Sequence, residues 1–375
     1  MTRLAVLTLL ALPVALPAAG PVIDPATGKL DPAAGVRWYD VRPLGLEGQG
    51  WADTKAPFDR LPARAEKTAR PPVWGLSRHS TGLCVRFVTA ATTVHARWTV
   101  TNKTLAMPHM PATGVSGLDL YVRTPAGWRW VANGRPTAET TTAQLATGLE
   151  PGAKEFLLYL PLYNGVSAVE VGVPDGAALK KADPRPADRR APLVFYGTSI
   201  TQGGCASRPG MVHTAILGRR FDRPVVNLGF SGSGTLDPDV AALLGELDAA
   251  VFVLDCLPNL TTPQVAERTV PFVKVLRAAR PTTPILLVED RTYANAAVLP
   301  AAAKRNADSR AACRAAFDAL VAAGDRNLHY LAGGGLIGDD GEGTVDGSHP
   351  TDLGFARQAD AFAVALRPLL APRPR

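Results

Sequence analysis

Four short stretches in the second half of this 375-residue chain carry side chains that could act together on a carbonyl carbon. The first is Gly197-Thr198-Ser199-Ile200-Thr201-Gln202-Gly203, where Ser199 stands two residues past a glycine that ends an apolar run. A hydroxyl at the end of a buried strand can serve as a nucleophile, although a Ser or Thr there can equally cap the next helix. The second stretch is Asp346-Gly347-Ser348-His349. A serine nucleophile needs a base for its proton, and an imidazole needs a carboxylate to orient it and stabilise its charged form. Asp346 and His349 could supply both from one loop, where singly they would read as a turn residue and a surface histidine. The third and fourth are Asn227-Leu228-Gly229-Phe230-Ser231-Gly232-Ser233-Gly234 and Asp255-Cys256-Leu257-Pro258-Asn259. A tetrahedral acyl intermediate needs donors aimed at its oxyanion, and the Gly232 N–H and the Asn259 amide are the candidates. The plainer alternatives are a glycine turn and a helix cap. No GxSxG elbow occurs anywhere in the chain, which argues against the α/β-hydrolase arrangement.

The elements that must position these residues are readable from hydrophobic spacing. Apolar runs at 193–196, 225–228, 251–254, 285–288 and 328–331 alternate with helical patterns such as 265–280 and 301–323. Runs without polar alternation, separated by helices, predict a doubly wound parallel sheet covered on both faces. Such sheets carry their sites outside the carboxyl ends of the strands, where the four stretches fall. Residues 36–173 differ. Short Val-, Tyr-, Trp- and Thr-rich runs at 37–41, 83–89, 94–100, 118–124, 128–132, 155–160 and 168–173, punctuated by Gly, Pro and Asn, predict an all-β sandwich. Residues 174–192, rich in Pro, Lys, Arg and Asp, have the composition of an exposed linker.

With 46% hydrophobic and 19% charged residues the chain can bury sizeable cores, which excludes wholesale disorder. Its net charge of +7 is spread over scattered arginines, only nine of the 40 basic residues being lysine, so no concentrated surface for nucleic acid is visible. Arg3, the apolar residues 4–16 and Pro17-Ala18-Ala19-Gly20 read as a cleavable signal peptide, an apolar stretch too short to span a membrane. The expected division is a signal peptide at 1–20, a sandwich domain with linker at 21–185 and a catalytic domain at 186–375. Secreted or periplasmic protein is expected, and the oligomeric state stays open.

Over residues 192–370 the four blocks, in this order, resemble the SGNH (GDSL-like) hydrolase superfamily. The resemblance implies a flavodoxin-like sheet with its serine in the first strand-to-helix loop and Ser199 as nucleophile. It further implies Gly232, sixth in the Asn-x-Gly-x-x-Gly stretch, as backbone donor, Asn259 as side-chain donor, and Asp346 with His349 in the DxxH spacing as the rest of a triad. Two positions depart from the family pattern: Thr198 stands where Asp is usual, and the GxND block is reduced to Pro258-Asn259. The whole plan resembles bacterial secreted SGNH esterases, many of which act on acetylated carbohydrates. That implies a serine esterase for short, chiefly acetyl, esters on carbohydrates, without cofactor or metal. A lipase or acyl-thioesterase of the same superfamily and a non-catalytic carbohydrate-binding protein are the alternatives. No long amphipathic insertion of the kind a lipase lid needs is visible near the site.

Some features are read as bystanders. Gly333-Gly334-Gly335-Leu336-Ile337-Gly338 matches GxGxxG but leads into acidic turn residues, and Asp339, Asp340 and Glu342 lack the register of a calcium loop. His79, His95, His109, His213 and His329 show no paired metal spacing and read as ordinary surface or core residues. Cys84, Cys205, Cys256 and Cys313 allow three full pairings, with buried thiols as the alternative. In a 2-1-3-4-5 strand order the first and third strands are neighbours, so a Cys205–Cys256 disulfide is the favoured pairing.

Overall fold

The computed structural model describes residues 20–371; of the expected signal peptide, residues 1–19 lie outside the described residues. The first half forms two antiparallel sheets. One runs in the order Lys29–Asp31, Val36–Asp40, Val166–Pro174, Val94–Val100, Thr140–Ala146. The other runs Leu179–Lys181, Cys84–Thr89, Lys154–Tyr159, Leu118–Thr124, Gly127–Gly134, with Leu46–Glu47 paired to Cys84–Thr89. Successive strand residues point to opposite faces, so in Val94–Val100 the residues Val94, Ala96, Trp98 and Val100 are buried while His95, Arg97 and Thr99 are not. These four share one apolar cluster with Val85, Phe87, Leu118, Leu120, Phe156 and Leu158 of the other sheet.

Thr140–Ala146 was not legible as a strand because its threonines hide the alternation; it is held by pairing with Val94–Val100. The expected linker is only partly one. Leu179–Lys181 pairs with Cys84–Thr89, and Arg185 is buried with its guanidinium 2.6 Å from Glu47, leaving 186–190 exposed.

The second half is an α/β unit. Its strands are β1 (Leu193–Gly197), β2 (Val225–Gly229), β3 (Val251–Asp255), β4 (Ile285–Val288) and β5 (Leu328–Leu331), all parallel in the order 2-1-3-4-5. Six α-helices accompany them: α1 (Ser199–Gln202), α2 (His213–Phe221), α3 (Pro238–Leu244), α4 (Thr262–Ala279), α5 (Pro300–Ala322) and α6 (Asp352–Leu370). On one face Val194, Tyr196, Leu228, Phe252 and Leu254 pack against α3, α4 and α5; on the other Leu193, Phe195, Val225 and Val253 pack against α2 and α6. Burial on both faces is why β1, β3 and β4 are apolar almost throughout, whereas β5, at the edge of the sheet, has only Leu328 fully buried.

The halves are locked together. Trp51, Leu61 and Val73 of the first half belong to the apolar cluster of the α/β unit. The wholly buried Arg60 guanidinium donates to the carbonyls of Asn227 (3.0 Å) and Gly229 (2.8 Å) at the end of β2, and also to those of Leu76 and His79. Burial holds its pKa down at about 9.

Candidate active site

Ser199 is the first residue of α1, directly after β1. Thr198 is the cap, its hydroxyl accepting from the Ile200 N–H at 3.3 Å, which accounts for a threonine at this position. The Ser199 Oγ lies 2.7 Å from His349 Nε2. His349 Nδ1 in turn lies 2.7 Å from Asp346 Oδ2. The other carboxylate oxygen accepts from the backbone N–H groups of Ser348 (3.0 Å) and His349 (2.8 Å), a tight turn that folds the imidazole back over its own loop and makes a three-residue spacing sufficient. Because Asp346 can only accept when ionised, Nδ1 carries the proton and Nε2 presents its lone pair to the serine hydroxyl. Partial burial pushes the Asp346 carboxyl up, but the His349 N–H, the imidazole and the Ser348 N–H outweigh it and hold it below the ordinary carboxylate value.

The turn after β2 brings the next two residues together. Gly229 permits close packing there: a Cβ on it would sit 2.1 Å from the Gln202 nitrogen of α1. The turn's N–H groups are nearly all engaged, Gly229 to Asn227 Oδ1, Phe230 to the Gly197 carbonyl, Ser231 to Gln202 Oε1, and Ser233 and Gly234 to the Phe230 carbonyl. Among the described residues the Gly232 N–H has no acceptor, and Gly232 is exposed with φ +66°, a conformation L side chains rarely adopt. Asn259 lies against the same turn. Oriented so that its carbonyl oxygen accepts from the N–H groups of Ser233 (3.1 Å) and Gly234 (3.2 Å), it keeps its NH₂ as a free donor. One hydroxyl, one base, one orienting carboxylate and two unspent donors can together support acyl transfer.

The model of the GDSL-like lipase/acylhydrolase family matches residues 190–367, and that of the N-terminus of SGNH-hydrolase-type esterases matches residues 36–179. A Bacteroides ovatus ATCC 8483 protein named as a GDSL-like lipase is 32% identical, with 89% of this chain and 98% of that one covered and a TM-score of 0.85. The chain belongs to the GDSL-like (SGNH) lipase/acylhydrolase family.

Two more distant neighbours share the fold. The salicylyl-acyltransferase SsfX3 of a tetracycline biosynthetic pathway is 22% identical (91% of this chain, 99% of that one, TM-score 0.73). A family two carbohydrate esterase from Clostridium thermocellum is 14% identical (77% and 93%, TM-score 0.56). No curated protein matches the chain.

Several residues around this SGNH site gave no sequence signal. The Tyr163 hydroxyl donates to the Ser199 carbonyl at 3.0 Å. Gln202, wholly buried at the end of α1, accepts from the Ser231 N–H at 2.9 Å and donates to His79 Nδ1 at 3.0 Å. Burial and the Arg60 charge hold His79 down at about 4, so it is neutral and free to accept. His109, read as ordinary, has its ring centre 6.4 Å from that of His349. His79, His109 and Tyr163 come from the first half of the chain, far from the motifs. The Ser199 N–H was missed as well, although the first turn of a helix leaves its N–H groups unpaired and that signal points to it.

The expected Cys205–Cys256 disulfide is overturned: all four cysteines are free and buried. β1 and β3 are neighbours, but the residues that follow them diverge. Cys256 packs with Tyr196 and Leu254 on the α3 and α4 face, its thiol 3.5 Å from the Tyr196 carbonyl. Cys205 lies on the triad side, where burial and the Asp346 charge push its thiol up to about 11.

Proposed function

We propose that this family member is an exported serine esterase that removes short acyl groups, acetyl above all, from carbohydrates. The observation that carries the catalytic reading is the pair of 2.7 Å contacts from Ser199 through His349 to Asp346. On this reading Ser199 Oγ attacks the ester carbonyl while its proton passes to His349 Nε2, which returns it to the departing alcohol. Water then attacks the acyl-enzyme, gives its proton to the same nitrogen and releases the acid. Asp346 orients the imidazole and stabilises its cation. The N–H groups of Gly232 and Ser199 and the Asn259 amide stabilise the oxyanion.

Carbohydrate is favoured as the alcohol by analogy with fold neighbours such as the carbohydrate esterase described above. The domain division at 185/186, a sandwich in the first half and export by residues 1–20 belong to the same reading. A second reading, longer acyl chains, has one observation in its favour. Val298, Leu299 and Val345 are exposed on two loops that meet where Asn295 packs on Gly347. Hydrolysis of p-nitrophenyl acetate, butyrate and octanoate, followed by acetate release from acetylated xylan, decides between them. Preference for acetate with release from xylan supports the proposal, and preference for octanoate without it sinks it.

A further inference from the structure

A hairpin from the first half of the chain reaches the proposed catalytic base. Met107 and Met110 exchange two backbone hydrogen bonds (3.0 and 3.1 Å), making Pro108 and His109 the tip. The hairpin is held from beneath. Met110 is buried in an apolar cluster with Leu162, Ile200 of α1, Val212 and Phe355 of α6, and the Thr113 hydroxyl donates to the Ser207 carbonyl at 2.6 Å. A Cβ on Gly114 would sit 2.3 Å from the Ala206 carbonyl, so the halves touch backbone to backbone here. His109 itself is exposed, its ring tilted at 48° to that of His349, and it makes no hydrogen bond among the described residues. Folding therefore gives no account of an imidazole at this tip.

The direction of the reaction decides which half of an ester His109 would meet. This step rests on the serine-esterase reading. In acylation the bond from Ser199 Oγ to the carbonyl carbon forms and the bond from that carbon to the alcohol oxygen breaks. The serine proton travels through His349 Nε2 to the alcohol oxygen. The alcohol half must therefore lie against His349, while the carbonyl oxygen points to the turn carrying Gly232. We propose that His109 is a specificity-determining residue for the alcohol half of the substrate, supplied by the N-terminal half of the chain. An exposed imidazole on a fixed tip presents a flat ring, one donor and one acceptor, which suits a polyol. Since the alcohol departs before water attacks, His109 acts in acylation and is silent in deacylation.

The test compares wild type, His109→Ala and His109→Gln on three acetates that differ only in their alcohol: ethyl acetate, p-nitrophenyl acetate and acetylated xylotriose. His109→Ala should lose about five- to tenfold in kcat/KM on acetylated xylotriose relative to ethyl acetate, the size of one lost polar contact. His109→Gln, which keeps a donor and an acceptor, should recover part of that loss. The deacylation rate constant from burst kinetics, and the ratio among acetate, butyrate and octanoate, should change by less than about twofold. Equal losses on all three acetates, slower deacylation, or a shifted acyl-length profile would each overturn the assignment. If wild type forms no acyl-enzyme on Ser199 by mass spectrometry, the esterase reading falls and takes this proposal with it. An acyl-enzyme with an unaltered alcohol profile in His109→Ala removes this proposal alone.

Discussion

At the scale of single residues, 2.7 Å contacts on either side of the His349 ring link Ser199, His349 and Asp346, which on the proposed reading act as one proton-handling unit. Parts of a unit do not contribute additively. Ser199→Ala and His349→Ala should each lower kcat by roughly 10⁴-fold or more, and the double variant should be little worse than either. Steady-state kinetics on p-nitrophenyl acetate checks this, and an alanine variant that keeps most of its rate refutes the nucleophile. The oxyanion role proposed for the Asn259 amide is of a different kind, since negative charge on the carbonyl oxygen is absent from the bound ester and develops only on the way to the tetrahedral intermediate. Asn259→Ala should cost about 10²–10³ in kcat with KM little changed. A rise in KM alone would make Asn259 a binding residue.

At the scale of elements, α1 and the turn after β2 must hold a fixed separation, and Gln202 spans the gap. Its amide bonds the Ser231 N–H on one side and His79 and the Leu162 carbonyl on the other. Gln202→Met keeps the volume and removes the bonds. It should cost about 1–3 kcal/mol of stability for the groups left unpaired. Because the Gly232 N–H sits on the loosened turn, kcat should also fall by about tenfold with KM unchanged. Urea unfolding and steady-state kinetics separate the two effects, and lost stability at full kcat would show that the turn holds its shape without Gln202.

At the scale of the whole molecule, buried histidines tie stability to pH. His213 is wholly buried, stacks on Phe355 at 5.7 Å with rings 7° apart, and is held down at about 3 by burial and the Arg291 charge. A folded-state pKa below the unfolded value means that the unfolded chain binds the proton first. The contribution is therefore fully present above about pH 6.5, the ordinary histidine value, and drains away as pH falls towards about 3. Asp255, raised to about 6 by burial against the pull of Arg291, works in the opposite direction between its ordinary value and pH 6. A comparison within one background isolates the histidine. His213→Phe should flatten the loss of stability between pH 6.5 and 4 relative to wild type, a difference of a few kcal/mol at most by that linkage. Parallel denaturation midpoints for the two proteins across this range would contradict it.

The amino-acid sequence alone determined what depends on neighbours along the chain. Strands covered by helices are predominantly apolar, so β1 to β5 could be read within a residue or so of their ends. A turn of the Asp346-to-His349 kind closes on itself, so its three-residue spacing showed which imidazole a carboxylate would orient. Only the tertiary structure decided what depends on how separate elements dock. That Arg60 grips the end of β2, that His79 reaches Gln202 and that His109 reaches His349 are contacts across more than a hundred residues, with no period or motif to betray them. The cysteines show the same division. Strand order correctly made β1 and β3 neighbours, yet the faces on which their following residues lie are set by helix packing, and that packing sends Cys205 and Cys256 apart.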